Sequence, residues 1–161
     1  MRSITRIQDS PGKGIHEICS EIREMVEDNG VKVVFIDGFG LIRNKECRMS
    51  RSLWLAEVFK ELKLLAMDLG ISIICPWNLN RIDSANMGPT FGDIEYSEMI
   101  AGYSDIVLLI DNPAMRVAIK EDDVVMADIR KVIVSKNNNS STGGFTMRLN
   151  SETGQFEEVG P

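Results

Sequence analysis

Histidine and cysteine are scarce in this chain of 161 residues, which holds one of the first and three of the second. With His16 alone, His-rich metal sites and most Ser-His hydrolases are disfavoured, and His16 reads as a helix residue without a catalytic role. Cys19, Cys47 and Cys75 are odd in number and widely spaced, which fits neither a disulfide framework nor a zinc site and leads us to expect a reducing, cytoplasmic setting. Long apolar runs are missing too: no stretch approaches the length needed to cross a bilayer, and Met1-Arg2-Ser3-Ile4-Thr5 lacks the apolar core of a signal peptide. There is no excess of positive charge. Eighteen Lys and Arg against 24 Asp and Glu leave a net charge of −6, which disfavours wholesale electrostatic coating of nucleic acid. A local cationic site stays open, because the field that matters is the one lining the contact.

What is present is the makeup of a soluble globular protein, 43% hydrophobic and 26% charged, with a length that suits one domain and a substantial core. The run Val31-Lys32-Val33-Val34-Phe35-Ile36-Asp37-Gly38 is β-branched and aromatic and is bounded by Asn29-Gly30 and Gly38, so it predicts a strand buried on both faces, as in a parallel sheet. Asp37 would stand at the carboxyl end of that strand, the edge where open α/β sheets bind ligands. A carboxylate there either caps the strand or holds Mg²⁺ through water, as in sheets that hydrolyse nucleotides.

Before this strand, Ser3 to Gln8 has strand character, Asp9 to Gly14 is a turn, and Ile15 to Glu27 sets Ile15, Ile18, Cys19, Ile22, Met25 and Val26 at helical spacing. A strand, a Gly-Lys pair and a helix are also the surroundings of a phosphate loop, G-x-x-x-x-G-K-[ST]. Here Ile7 stands in place of its first glycine and Gly14 in place of the hydroxyl residue that holds Mg²⁺, so the turn reads as a plain connection.

After the strand comes a basic island, Arg43 to Arg51, and then an amphipathic helix, Ser52 to Leu69, with the apolar stripe Leu55, Val58, Phe59, Leu62, Leu65, Ala66 and Leu69. Gly70 reads as its left-handed cap and Ile71 to Cys75 as a second buried strand, parallel to the first because the joints are short. Ile82 to Gly92 is a polar loop, Ile94 to Ala101 a short helix, Asp105 to Ile110 a strand and Met115 to Ile119 a weaker one. Lys120 to Asp123 reads as a solvated turn. Ile129 to Lys136 and Phe145 to Leu149 form a hairpin around the polar loop Asn137 to Gly144, and Gln155 to Val159 would add an edge strand.

Taken in order, several segments resemble the hexameric replicative DNA helicases of the DnaB type, whose motor is a RecA-like ATPase. ITRIQDSPGKGIHEICSEIREM, Ile4 to Met25, is similar to the strand and helix before the family's Walker B strand. VVFIDGFGLI, Val33 to Ile42, is similar to the Walker B segment itself, and EVFKELKLLAMDLGISIICPWNLNR, Glu57 to Arg81, to the helix and the strand that ends in S-Q-L-N-R. Asp93 to Ile110, KVIVSKNNNSSTGG and the closing hairpin resemble the remainder. The resemblance implies an α/β, RecA-like, mostly parallel sheet flanked by helices, with a C-terminal antiparallel hairpin, over residues 1–161 as one partial domain. The family's phosphate-loop strand and catalytic glutamate precede the region matched from Ser3. We therefore expect no appreciable ATP hydrolysis from these residues alone, as in a split-gene product or truncated motor whose nucleotide pocket a second half completes.

The resemblance also implies roles. Asp37 is the Mg²⁺-associated carboxylate, and ATP and Mg²⁺ are the cofactors. Asn78 stands where the family's glutamine senses the γ-phosphate, with one methylene less reach; its other reading is a loop asparagine that satisfies the strand end. Lys136 matches the lysine projected into the neighbouring subunit's site, or else is a solvated hairpin residue. Asn138 replaces the arginine two residues later, so either hydrolysis in trans is weakened or another cation, such as Arg130 or Lys131, substitutes for its charge. Arg43, Lys45, Arg48 and Arg51 in the basic island, and Arg81 in the loop Arg81 to Tyr96, are the candidate contacts to single-stranded DNA, against the alternative of solvated loops. Glu95 lies where a DNA-proximal arginine is usual. Of the two tryptophans, Trp54 reads as packing on its helix and Trp77 as the better base-stacking candidate. Two other readings stand beside a ring-shaped 5′-to-3′ helicase: a non-catalytic RecA-fold scaffold or binding module for replication proteins, which Asn138 and Glu95 favour, and a fragment of a RecA- or KaiC-type ATPase.

Overall fold

The computed structural model describes residues 5–9, 12–43, 50–79, 88–115 and 128–159. The chain divides into two compact units, residues 1–77 and 78–161.

In the first unit, α1 (Ile15–Asn29) is followed by β1 (Val33–Phe35), α2 (Arg51–Leu69) and β2 (Ser72–Ile74). The two strands pair in parallel, Val34 opposite Ile73, as the short joints require. Ser50 opens α2 by accepting the Leu53 amide on its hydroxyl, and Gly70 closes it with φ 61°, a left-handed conformation that a Cβ would strain. The predicted stripe of α2 points inward, with Leu55, Val58, Phe59, Leu62 and Leu65 all buried. Ile22 of α1, Leu65 of α2 and Ile71 form one buried cluster, against which Val34, Ile36 and Ile73 pack. An Arg23–Asp68 ion pair at 2.6 Å joins the two helices at the surface.

Both helices therefore lie against the face of the pair that carries Val34 and Ile73. The strands alternate exposed, half-buried, exposed, and Val33, Phe35 and Ile74 stand on the open face. This corrects the expectation of strands buried on both sides. A continuous apolar run satisfies a two-faced strand, but burial also needs a second layer, and among the described residues nothing buries that face. Residues 5–8, expected to form a strand, have no regular structure.

The second unit is a four-stranded antiparallel sheet in the order β3-β4-β5-β6, built from β3 (Ile106–Asp111), β4 (Ile129–Asn137), β5 (Gly143–Leu149) and β6 (Phe156–Val159), with α3 (Ser97–Tyr103) before it. The predicted hairpin is present, with Val132 opposite Phe145, and β6 adds the edge. A register shift between Val107 and Leu108 interrupts the β3–β4 ladder. β3 alternates strictly: Val107, Leu109 and Asp111 are buried, while Ile106, Leu108 and Ile110 are exposed. The short helix begins three residues later than expected. Ile94 is instead held by a bridge to Leu79, and a one-turn segment, Phe91–Asp93, precedes it. Residues 113–115 form a single 3₁₀ turn where a strand was expected to begin; the rest of that expected strand and the turn Lys120 to Asp123 lie outside the described residues.

Candidate nucleotide and nucleic-acid site

Asp37 lies just beyond β1, where Ile36 still donates its amide to the Ile74 carbonyl. The carboxylate is exposed, and its Oδ1 accepts the Gly38 amide at 2.8 Å. Gly38 has φ 68° and ψ 36°, and the Leu41 amide returns to its carbonyl at 2.7 Å, so the chain turns sharply away from the strand direction. Phe39 then enters the core with 2% of its surface exposed. Its ring stacks on Phe59 of α2 at 4.8 Å and meets Trp77 edge-on at 5.3 Å. The sequence Asp-Gly-Phe is thus a device: glycine permits the turn, and phenylalanine anchors it, leaving the carboxylate outside.

Magnesium suits one such carboxylate, because it keeps most of its water and takes phosphate oxygens for the rest. Among the described residues no group of three or more His, Cys, Asp and Glu side chains could hold a metal without such help. The donor set fits a hydrated Mg²⁺ that a nucleotide brings with it.

The Gly12-Lys13-Gly14 turn is not a phosphate cradle. Lys13 is paired with Glu21, and the Glu17 carboxylate folds back to accept the Gly14 amide at 2.6 Å, filling the place an anion would take at the start of α1. The Lys13 carbonyl accepts the Arg43 amide at 2.8 Å, which fastens this turn to the beginning of the basic island. Arg43 and Arg51 are both exposed, Arg51 in the first turn of α2, a turn without acidic residues. Lys45 and Arg48, and Arg81 in the second loop, lie outside the described residues. Trp77 is not presented for stacking: its ring packs on Phe39 and Phe59, and its indole nitrogen is buried with no hydrogen-bond partner.

In the second unit Asn78 is exposed beside Leu79, whose bridge to Ile94 fixes the exit from the preceding segment. Glu95 is half-buried next to Tyr96. Lys136 is neither a free surface lysine nor extended away from its own sheet. Its ammonium donates to the backbone carbonyls of Ala101 and Ser104, the latter at 2.6 Å. No spacing rule in the sequence could have found these partners, which are 35 and 32 residues away. Asn138 bonds to Asp105 of its own unit, its amide N–H to the Asp105 carbonyl at 2.9 Å and its side chain to the Asp105 carboxylate at 3.5 Å. Arg130 donates to its neighbour's carbonyl, Ile129, at 2.8 Å, and Lys131 is exposed. Asp93 caps its own turn by accepting the Thr90 amide and hydroxyl, and the amide bond, followed by the hydroxyl bond, pulls its carboxyl below the ordinary value.

Comparison with known proteins gives this arrangement a context. The probable plasmid replicative DNA helicase of Chlamydia psittaci is 27% identical over 152 residues, covering 93% of this chain and 32% of the relative. The replicative DNA helicase DnaB of Leifsonia xyli subsp. xyli is 29% identical over 157 residues, covering 96% of this chain and 34% of the relative. The chain thus spans about a third of the length of these curated relatives. Among solved structures, a DnaB-like replicative helicase described with its primase interactions superposes with a TM-score of 0.81 at 21% identity, over 95% of this chain and 36% of that one. The ATPase domain of G40P superposes with a TM-score of 0.80 at 22% identity, over 92% of this chain and 52% of that one. The fold is therefore that of RecA-like DnaB ATPase domains. The family described as DnaB-like helicase C-terminal domain matches residues 2–158, and the chain belongs to it.

Proposed function

We propose that residues 1–161 are one partial RecA-like domain that supplies half of a composite ATP pocket in a ring-shaped, ATP-driven 5′-to-3′ DNA helicase, and that a phosphate-loop-bearing half completes the pocket. Asp37 orients the Mg²⁺ that accompanies ATP, through water. Asn78 reads the γ-phosphate by hydrogen bond, and Lys136 lends positive charge to the site of a neighbouring subunit. Arg43, Lys45, Arg48, Arg51 and Arg81 hold the phosphates of single-stranded DNA without reading its sequence.

One observation carries the reading: an exposed carboxylate fixed at the carboxyl end of a parallel strand, in a chain with no complete phosphate loop. A strand end of this kind is where α/β sheets bind nucleotides. Hydrolysis needs amides and a lysine around the phosphates and a base for water, and the Gly-Lys turn, closed by Glu17 and Glu21, offers neither.

The test is to mix this chain with a phosphate-loop-bearing half of DnaB type and follow ATP hydrolysis with and without single-stranded DNA. Turnover in the mixture that neither part shows alone, raised by DNA, is the expected result. A mixture as inert as its parts favours the second reading, a RecA-fold scaffold or binding module. Asn138 supports that alternative, because its amide bonds to Asp105 and offers no charge to a phosphoryl group.

A further inference from the structure

The role proposed for Lys136 requires its ammonium to reach a phosphate outside its own subunit, yet here the group is held. Its two acceptors, the carbonyls of Ala101 and Ser104, belong to the last turn of α3 and its C-cap, where the helix presents unpaired oxygens and the negative end of its dipole. The other end of α3 is strained. Tyr96, its N-cap, has φ 59° and ψ 36°, the one positive φ of a non-glycine residue among those described. The Tyr96 carbonyl accepts the amides of both Met99 and Ile100, so this left-handed residue sets the direction of the first turn. Because α3 runs only from Ser97 to Tyr103, about two turns separate the strained end from the carbonyls that grip the lysine.

We infer that Tyr96 is a positioning residue for Lys136: its left-handed backbone aims the terminal carbonyls of α3 at the ammonium, and departure from that conformation turns the helix and frees the lysine. The inference rests on the trans role proposed for Lys136 and adds what governs it.

Amine acetylation of the isolated full chain, read lysine by lysine by mass spectrometry, tests this without nucleotide or partner. In the unaltered chain Lys136 should label more slowly than Lys131, which is exposed on the same strand. Tyr96→Val, whose β-branch disfavours the left-handed region, should speed Lys136 by about fivefold and leave Lys131 unchanged. Tyr96→Gly and Tyr96→Asn, which tolerate that region, should label Lys136 no faster than the unaltered chain. Four results would each overturn the inference: equal labelling of Lys136 and Lys131 at the outset, no change in Tyr96→Val, a rise shared by every lysine, or a rise in Tyr96→Gly. Since no hydrolysis is measured, an inert mixture in the ATPase assay would count against the composite pocket and leave the helix tether standing.

Discussion

At Gly38 the backbone turns left-handed directly after the candidate metal carboxylate, and an added Cβ would sit 3.2 Å from Leu41 Cδ1. Gly38→Ala is therefore expected to cost about 1–2 kcal/mol in urea unfolding. Gly40→Ala, where a Cβ meets nothing within 4 Å, should cost less. Burial pushes the Cys75 thiol up from 9.0 to about 11. The unfolded chain then loses this proton at lower pH than the folded one, so between pH 9 and 11 the folded state binds more protons and stability falls as pH rises. Cys75→Ser should flatten that limb of a pH-stability curve. The place of Asp37 at the carboxyl end of its strand was legible, because it follows from the apolar run and the glycine that ends it. The tether of Lys136 was not, because its acceptors are backbone carbonyls that fold back from a distant helix, and neither was the packing of the Trp77 ring on Phe39 and Phe59, which is a tertiary fact.

Among the elements, α2 was the easiest to read, since a stripe at helical spacing must meet a core. Leu65 lies in the buried cluster and Leu64 faces outward, although the two are adjacent. Leu65→Ala is expected to cost about 2–5 kcal/mol and Leu64→Ala about 0.5 kcal/mol or less, as measured by chemical denaturation. The six strands that form were legible to within two or three residues, whereas residues 5–8 were read as strand and have no regular structure. The number of covered faces was not legible: a β-branched run reports apolar character on both sides whether or not a second layer lies over it. In the basic island, the proposed DNA contact is a matter of summed charge. Reversing Arg43, Lys45, Arg48 and Arg51 to Glu should weaken oligothymidylate binding and flatten its dependence on salt in an anisotropy titration, and unchanged binding would remove this segment from the interface.

For the whole molecule, the consequential feature is open apolar surface. Val33, Phe35 and Ile74 stand exposed in one unit, Phe35 at 68%, and Ile106, Leu108 and Ile110 in the other. Faces of this kind mark sites of association. The isolated chain is expected to self-associate with rising concentration in light scattering. Phe35→Lys and Leu108→Lys should each reduce that association while changing the unfolding midpoint little, because neither side chain lies in a buried cluster. The family and fold were legible from the order of several modest motifs, over a chain that spans about a third of the length of these relatives. The most direct measurement is ATP hydrolysis by a mixture of this chain and a phosphate-loop-bearing half, with Asp37 intact and as Asp37→Asn. The account predicts turnover that depends on both halves and on Mg²⁺, and its loss in the Asp37→Asn mixture. Undiminished turnover with Asp37→Asn, or hydrolysis by this chain alone, would contradict it.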